Sequence, residues 1–318
     1  MKLIKTEDAV GHVLCHDMTQ IIKDQYKDAR FRKGHVVTEE DIPVLLSMGK
    51  EHLYVWEMTS GMVHENDAAE RLLALCGQEN MIRSGVKEGK IELKAACDGV
   101  FLVDSARLVA VNSQDEVMIA TRKGGMAVRE GDKLAGMRVI PLIIEEEKLR
   151  KAEQAAGDKP LLSLKPYVRK TACIVATGGE VKKGLIKDTF TPIVIDKLKT
   201  YGIETLEVVY SGDGVENVRD AVLTMREKKP DMILCTGGMS VDPDDNTPGG
   251  IKAAGANIIA YGAPVLPGAM FLLGYFDDGM PVMGLPGCVM YAGATVFDLV
   301  LPKIAADVPV TRADLAAL

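Results

Sequence analysis

The sequence has 318 residues, of which 47% are hydrophobic and 26% are charged, and its formal net charge is −7. A chain of this length is too long for one small core, and its composition excludes a disordered or fibrous protein. The negative charge argues against a nucleic-acid partner, which would need a basic surface.

The cysteines lie far apart and form no C-x-x-C pair: Cys15, Cys76, Cys97, Cys173, Cys235 and Cys288. This spacing predicts reduced thiols rather than a disulfide frame or a zinc ribbon. The opening segment MKLIKTEDAVGHVL is interrupted by charges, so we expect no signal peptide. No run of roughly 18 apolar residues occurs, so we expect no membrane span either. These features predict a cytoplasmic protein.

Residues 1–60 are predicted to form a small α+β unit. Residues 6–9 are typical of a helix start, and residues 31–37 of a strand that follows a turn. A second helix is predicted to start with Thr38 as its N-cap and to end at Gly49, because acids fill its first turn and glycine favours a helix end.

A group of metal-ligand residue types lies in this unit, at His12, Cys15 and His16. Three ligands so close together leave no distant fourth ligand for a tetrahedral site. A turn or a strand edge is therefore the favoured interpretation of this segment, with a metal site as the alternative.

Residues 61–150 are predicted to form a helix followed by a β-rich domain. Residues 62–78 show the period of one amphipathic helix, near whose start His64 is expected on the surface. Residues 91–144 break into short alternating pieces separated by glycines, including a predicted strand at 108–112. No motif in this region indicates a function.

Residues 145–160 are charged and end in glycine and proline, which is typical of a connection or of a helix that continues from the β-rich domain. A domain boundary is predicted near residue 165. Beyond it, strands alternate with helices of 12 to 16 residues, ending in a last helix at 289–303. This alternation predicts an α/β fold over residues 165–305, with a three-layer, doubly wound and mainly parallel sheet. Residues 306–318 are predicted to be a C-terminal tail.

The stretch with the most chemical information is DMILCTGGMSVDPDDNT, residues 231–247. It is a short apolar strand that ends in paired glycines and continues into a segment containing Asp242, Asp244 and Asp245. Glycines let backbone N–H groups approach an anion, and the carboxylates are ligands suited to a hard cation. The segment predicts an anion and metal site, with an ordinary turn as the alternative.

Two preceding strands end in similar loops, Gly178-Gly179-Glu180 and Gly212-Asp213-Gly214. In a doubly wound sheet the carboxyl ends of parallel strands lie on one edge, where ligands bind. We therefore expect these loops to meet the loop after Thr236 at one site.

Residues 168–305 resemble the molybdopterin-binding domain shared by molybdopterin adenylyltransferases, molybdopterin molybdotransferases and gephyrin. The resemblance rests on matches in order and spacing: Thr177-Gly178-Gly179-Glu180, Gly184-x-Ile186-x-Asp188, Asp213, Thr236-Gly237-Gly238-Met239-Ser240 with Asp245, Pro267-Gly268 and Leu285-Pro286-Gly287. Residues 6–11 and 33–37 also resemble molybdotransferase sequence.

The resemblance implies a molybdopterin ligand, or its adenylate, across the carboxyl edge, with Mg²⁺ and molybdate as the further components of a molybdotransferase reaction. It implies that Glu180, Asp213 and Asp245 are catalytic and that Asp242 and Asp245 bind the metal. The implied cofactor-binding residues are Thr177, Gly178, Gly179, Thr236, Gly237, Gly238, Ser240, Pro267, Gly268, Leu285, Pro286 and Gly287.

The sequence departs from the family pattern at several of these positions. The family's K-P-G-K-P is Leu266-Pro267-Gly268-Ala269-Met270 here, so both lysines are missing, and Cys288 replaces the asparagine of L-P-G-N-P. Gly179 stands where the family's T-G-[DN]-E has an acid or an amide. Lysines that neutralise a dianion contribute several kcal/mol to its binding. Lys182, Lys183 and Lys187 are candidates for compensation, and solvated helix-flank lysines are the favoured alternative.

The sequence therefore supports a molybdenum cofactor maturation protein that binds molybdopterin, with molybdate insertion as its implied reaction. A non-catalytic carrier that passes the cofactor to a molybdoenzyme is the alternative, and a competence-damage-type nucleotide hydrolase is a weaker one. Relatives of this kind often form oligomers, which makes a dimer compatible with this interpretation.

Overall fold

The computed structural model describes residues 2–22, 26–55, 61–240, 242 and 245–318. For Ile22, Tyr26, Lys27 and Glu180 it describes the backbone only. The chain divides into two compact units: Met1–Ala96, Val103–Gly124 and Gly131–Ser163 form the first, and Cys97–Leu102, Gly125–Glu130 and Leu164–Leu318 form the second. The four-part division of the chain inferred from the sequence stays a prediction.

Short strands precede residue 170 in the following order: β1 Lys2–Lys5, β2 Met18–Ile22, β3 Tyr26–Phe31, β4 His52–Val55, β5 Met62–His64, β6 Met81–Arg83, β7 Ile91–Ala95, β8 Gly99–Val103, β9 Val117–Thr121, β10 Met126–Val128, β11 Lys133–Val139, β12 Ile143–Glu145 and β13 Leu162–Pro166. The helices of the first unit are a 3₁₀ turn at Thr6–Asp8, α1 Asp41–Ser47, α2 Glu65–Cys76, α3 Ser105–Asn112 and α4 Glu146–Ala156. The sheets of this unit are the antiparallel pairs β1-β4, β2-β3 and β12-β5 and the four-stranded sheet β6-β7-β11-β9.

The opening part of the first unit differs from the prediction in two details. The strand predicted at residues 31–37 lies earlier, at Tyr26–Phe31, and a turn at Gly34 follows it. Thr38 is not an N-cap acceptor, because its N–H and hydroxyl both donate to Asp41 Oδ2 at 2.8 Å. The carboxylate of the first helical residue therefore fixes the start of α1.

Two predictions for residues 61–150 are also wrong. The segment predicted as a strand at 108–112 belongs to helix α3, because Asp104 accepts a hydrogen bond from Arg107 N at 3.1 Å and caps a helix there. His64 is not a surface residue: it is 3% exposed, caps α2 by accepting from Asn66 N, and contacts the carbonyl oxygen of Cys15. Helix α2 consequently begins at Glu65, after strand β5.

The second unit contains strands β14 Thr171–Thr177, β15 Glu204–Ser211, β16 Met232–Thr236, β17 Asn257–Tyr261, β18 Leu272–Tyr275 and β19 Pro281–Leu285. Its helices are α5 Gly179–Lys182, α6 Phe190–Lys199, α7 Val215–Glu227, α8 Thr247–Ala253, a 3₁₀ turn at Gly287–Met290, α9 Val296–Ala305 and α10 Arg312–Ala316. The smaller sheet β10-β8-β13 has most of its residues in this unit as well.

The main sheet of the second unit has the order β15-β14-β16-β19-β18-β17. Its first three pairings are parallel, and β18 runs antiparallel to both of its neighbours. Apolar side chains alternate between two cores, so Ala172 and Ile174 face α6 and α9, while Cys173 and Val175 face α7 and α8. Helices on both faces of a mainly parallel sheet confirm the predicted three-layer α/β fold.

The C-terminal helix predicted at 289–303 is interrupted. A 3₁₀ turn ends at Met290, and α9 begins only after Thr295, whose side chain forms a capping box with Asp298. The predicted tail contains α10, and its Leu315 is buried in the core beside α6 and α9. No helix among the residues described is long and apolar enough to cross a membrane.

Candidate functional site

The carboxyl ends of four neighbouring strands form a row on one edge of the main sheet. Thr177 at the end of β14 pairs with Ser211 on one side, and Ala176 pairs with Thr236 on the other. Thr236 in turn pairs with Leu285. The loops that follow these strands are therefore neighbours, as the doubly wound topology predicts.

Two threonines link the loops of this row through hydrogen bonds. Thr177 Oγ1 donates to the carbonyl oxygen of Thr236 at 2.9 Å and lies 3.2 Å from Thr247 Oγ1. Thr247 donates to the carbonyl oxygen of Gly237 at 2.9 Å. Thr247 is 1% exposed, so its hydroxyl supports the loop, whereas Thr177 is half-buried.

The paired glycines of this loop have a structural reason to be glycine. Gly237 and Gly238 have φ of +83° and +57°, which disfavours side chains. A Cβ on Gly237 would lie 2.5 Å from the carbonyl oxygen of Thr177, and one on Gly238 would lie 2.7 Å from Thr247 Oγ1. The loop therefore turns tightly against β14 before it reaches the surface.

A cavity of about 530 Å³ opens beside this loop, within the size range of small-molecule sites. Three segments of the second unit surround it: residues 237–240 with Asp245, residues 266–270, and residues 286–291. Its lining residues are Gly237, Gly238, Met239, Ser240, Asp245, Leu266, Gly268, Ala269, Met270, Pro286, Gly287, Cys288, Met290 and Tyr291.

Asp245 is held in the wall of this cavity by the loop itself. Its Oδ2 accepts a hydrogen bond from Ser240 N at 3.0 Å, and its own N–H donates to the carbonyl oxygen of Asp242 at 2.9 Å. Burial raises the pKa of the nearby Tyr261, and the charge of Asp245 raises it further. Tyr261 donates to the carbonyl oxygen of Met239 at 2.9 Å, which ties β17 to the loop.

The predicted metal ligands form no complete site in the described part of the chain. Asp242 is exposed, and Asp244 lies outside the described residues. Among the described residues, no three carboxylate, imidazole or thiol side chains are grouped closely enough to hold a metal ion. The assignment of Asp242 and Asp245 to Mg²⁺ stays a prediction.

Asp213 lies at the other end of the row, against the loop after β14. Its Oδ1 and Oδ2 accept from Gly179 N at 3.2 and 3.1 Å, and its side chain is exposed. Lys182 Nζ lies 3.8 Å from the position that a Cβ on Gly212 would occupy. Asp213 does not line the cavity that contains Asp245, and the side chain of Glu180 lies outside the described residues.

The remaining predicted residues divide between the cavity and its support. Gly268 and Gly287 line the cavity, whereas Leu285 is fully buried in the core. A Cβ on Gly268 would lie 2.8 Å from Val296 Cγ1, so this glycine lets the 266–270 segment pack on α9. Pro267 accepts from Val296 N at 3.3 Å through its carbonyl oxygen and is not among the lining residues.

Sequence reasoning missed several side chains of the cavity wall: Met270, Met290 and Tyr291. Tyr291 is 80% exposed, and Leu266 beside the same cavity is 86% exposed. Met290 ends the 3₁₀ turn and Tyr291 follows it. Only the short distance of Tyr291 from Leu285-Pro286-Gly287 in the sequence could have indicated its place in the cavity wall.

Comparison with known families supports the resemblance seen in the sequence. Residues 173–306 match a family model described as a probable molybdopterin binding domain, and residues 3–57 match a domain of unknown function. Over 76 residues, the chain is 33% identical to a CinA-like protein of Mycobacterium tuberculosis and 32% identical to one of Petrotoga mobilis. These matches cover 24% of this chain and only 18% and 19% of those relatives.

Solved structures with a similar fold include two molybdopterin biosynthesis proteins. MoaB from Thermus thermophilus is 17% identical with a TM-score of 0.37, covering 45% of this chain and 98% of that chain. The Mog protein from Mycobacterium ulcerans is 22% identical with a TM-score of 0.36, covering 44% and 98%.

The family match confirms the predicted resemblance of residues 173–306 to a molybdopterin-binding domain. The matched residues include the row of strand ends and every residue that lines the cavity. The catalytic and binding roles assigned to individual residues stay predictions.

Proposed function

We propose that this protein binds molybdopterin, or its adenylate, in the cavity beside Asp245 and acts in maturation of the molybdenum cofactor. One observation carries this proposal: a cavity of about 530 Å³ lies within residues 173–306, at the carboxyl edge of a mainly parallel sheet. That edge is where open α/β sheets bind their ligands.

The residues of the cavity support a holding role better than molybdate insertion. Leu266 and Ala269 line it at the positions where the family pattern has lysines. Without those cations, none of the described lining residues provides a counter-charge for the molybdate dianion. We therefore propose a carrier that holds the pterin for a molybdoenzyme, with a Mg²⁺-dependent transferase as the alternative.

Anaerobic calorimetry with molybdopterin and with its adenylate tests the proposal. We expect saturable binding by the full chain, and loss of binding in Ala269→Phe, which fills the cavity from its wall. Leu206→Phe on the exposed part of β15 is the matched control and should bind as the wild type does. Absence of pterin binding by the wild type would refute the proposal.

The same experiment separates the carrier from the transferase. After the adenylate has bound, molybdate and Mg²⁺ are added and free AMP is measured. A carrier retains the ligand without releasing AMP, whereas stoichiometric AMP release would establish the transferase.

The matches to CinA-like proteins favour a nucleotide hydrolase as a second candidate. Incubation of the protein with ADP and NAD, with and without Mg²⁺, tests it through release of a mononucleotide. Turnover that Ala269→Phe abolishes would place hydrolysis at this cavity and would replace the carrier as the favoured function.

A further inference from the structure

We propose that the cavity bounded by residues 237–240, 266–270 and 286–291 binds the uncharged ring system of its ligand, with Asp245 recognising an N–H edge, and that it does not bind the ligand's phosphate. This inference rests on the proposed function, since it specifies which part of a pterin ligand the cavity holds. It also reverses the expectation that this stretch forms an anion site.

The charge of the cavity supports this assignment. Asp245 is the one charged side chain among the described residues that line it. The neighbouring positions 241, 243 and 244 are valine, proline and aspartate, so they add no cation. A phosphate placed here would face a carboxylate without a lysine or arginine beside it, and like charges in a partly enclosed site repel each other.

The hydrogen bonding of Asp245 suits a donor edge on the ligand. Its Oδ2 accepts from Ser240 N, which fixes the carboxylate in the cavity wall. A carboxylate has about four acceptor sites, so it retains capacity for two further donors. Pterin and guanine present two adjacent donors, a ring N–H and an exocyclic amino group, which a carboxylate accepts as a bidentate pair. Adenine presents one donor beside a ring acceptor and would leave a lone pair against the carboxylate.

The walls suit a flat ring rather than a hydrated anion. Met270 and Met290 contribute flexible thioether side chains, and sulfur makes favourable contacts with aromatic rings. Tyr291 and Leu266 are large apolar side chains that are 80% and 86% exposed at the cavity. A stacked heterocycle would cover such surfaces, and aromatic rings favour this geometry.

Titration of the full chain in EDTA with 6-hydroxymethylpterin, a fluorescent pterin without phosphate, tests the inference. We expect saturable binding that weakens at least tenfold in Asp245→Asn and in Tyr291→Ala, with guanosine but not adenosine displacing the probe. Pyrophosphate should not displace it. Asp277→Asn is the matched control, because it removes the same charge from an exposed residue of the second unit outside the cavity.

If the cavity binds an anion instead, Asp245→Asn should have the opposite effect on binding. Removing the charge of Asp245 would then leave binding unchanged or tighten it, and pyrophosphate would compete; either result overturns the inference. Thermal melting of each variant confirms that it is folded, and Tyr291→Ala changes only an exposed side chain. If molybdopterin binds but the phosphate-free probe does not, this inference fails alone. If molybdopterin itself does not bind, the proposed function fails.

Discussion

The Asp213 carboxylate occupies the space in which a side chain on Gly179 would lie. Both of its oxygens accept from Gly179 N, at 3.2 and 3.1 Å, and a Cβ on Gly179 would come within 2.6 Å of Oδ2. The acid or amide that the family pattern has at this position is therefore incompatible with the position of Asp213. The carboxylate of Asp213, in the loop after β15, therefore lies where the family pattern would place a side chain of residue 179.

Gly179→Asp should consequently displace Asp213 from this loop. We expect a loss of about 1 kcal/mol in the free energy of unfolding, the usual contribution of one hydrogen bond, because the exposed Asp213 side chain is able to move. Gly293→Asp is the control, since nothing lies within 4 Å of a Cβ there. Urea unfolding measures both. Equal stability of the two variants would show that the contact between Asp213 and Gly179 has no energetic role.

Asp231 is predicted to support the fold and not the ligand site. It precedes β16, at the edge of the sheet opposite the cavity, and its Oδ2 accepts from Lys170 N, Thr171 N and Thr171 Oγ1 at 2.7 to 2.9 Å. Burial alone would raise its pKa, but these donors lower the pKa below its usual value. Asp231→Asn should cost about 2 kcal/mol at pH 7, as expected for hydrogen bonds to a charged group.

The sign of the pH dependence follows from the lowered pKa. The stabilisation is present above the unfolded-state pKa of about 3.9 and is lost as the pH falls through the folded-state value. Urea unfolding of wild type and Asp231→Asn should therefore differ at pH 7 and converge in acid, while pterin binding at pH 7 stays within twofold. A loss of pterin affinity of more than twofold in folded Asp231→Asn at pH 7 would contradict a purely structural role.

The three-layer architecture was predictable because its signals are local. The apolar run of β16, followed by two glycines, identifies a buried strand and the turn after it without knowledge of its partners. The alternation of Ile174 and Val175 between two cores follows from the period of a strand. The start of α9 also has a local signal, the capping-box spacing of Thr295 and Asp298, but the prediction of a helix at 289–303 overlooked it.

Some roles depend on distant partners and have no local signal, which is why His64 was predicted on the surface and the role of Asp231 was not predicted. His64 is buried against the carbonyl oxygen of Cys15, 49 residues away, and Asp231 accepts from a backbone 60 residues away. Nothing in the local sequence of either residue specifies those contacts. The residues of the cavity differ in the same way. A sequence motif identified its glycines, whereas Met270 and Tyr291 are brought together only by the fold.

Gly250 provides a test of close helix packing beside the candidate site. A Cβ on this residue of α8 would lie 2.5 Å from Val218 Cβ and Cγ1 on α7, and 3.1 Å from the carbonyl oxygen of Val215. Gly250→Ala should force the two helices apart and cost about 1–3 kcal/mol, as overpacking does. Gly249→Ala is the matched control: its Cβ meets only the end of the Val215 side chain at 3.1 Å, and alanine favours a helix. A lower melting temperature for Gly249→Ala than for Gly250→Ala would contradict this packing.

The first unit should lose stability in mild acid because of His64. Burial lowers its pKa, the hydrogen bond to Cys15 raises it, and the Lys33 ammonium, 2.9 Å from Nδ1, lowers it. The folded state therefore binds a proton less readily than the unfolded chain does. The stability contributed by neutral His64 is present above the unfolded-state pKa of about 6.5 and is lost as the pH falls toward the folded-state value.

The expected loss is at most about 1.4 kcal/mol per pH unit for each such histidine, and burial lowers the pKa of His16 as well. His64→Asn keeps a capping side chain for α2 without the titration, so its stability should depend less on pH. His52→Asn on the exposed part of β4 is the control. Urea unfolding followed by circular dichroism from pH 7.5 to 5 measures all three proteins. A His64→Asn slope equal to that of the wild type would show that His64 is not a group whose protonation destabilises this unit.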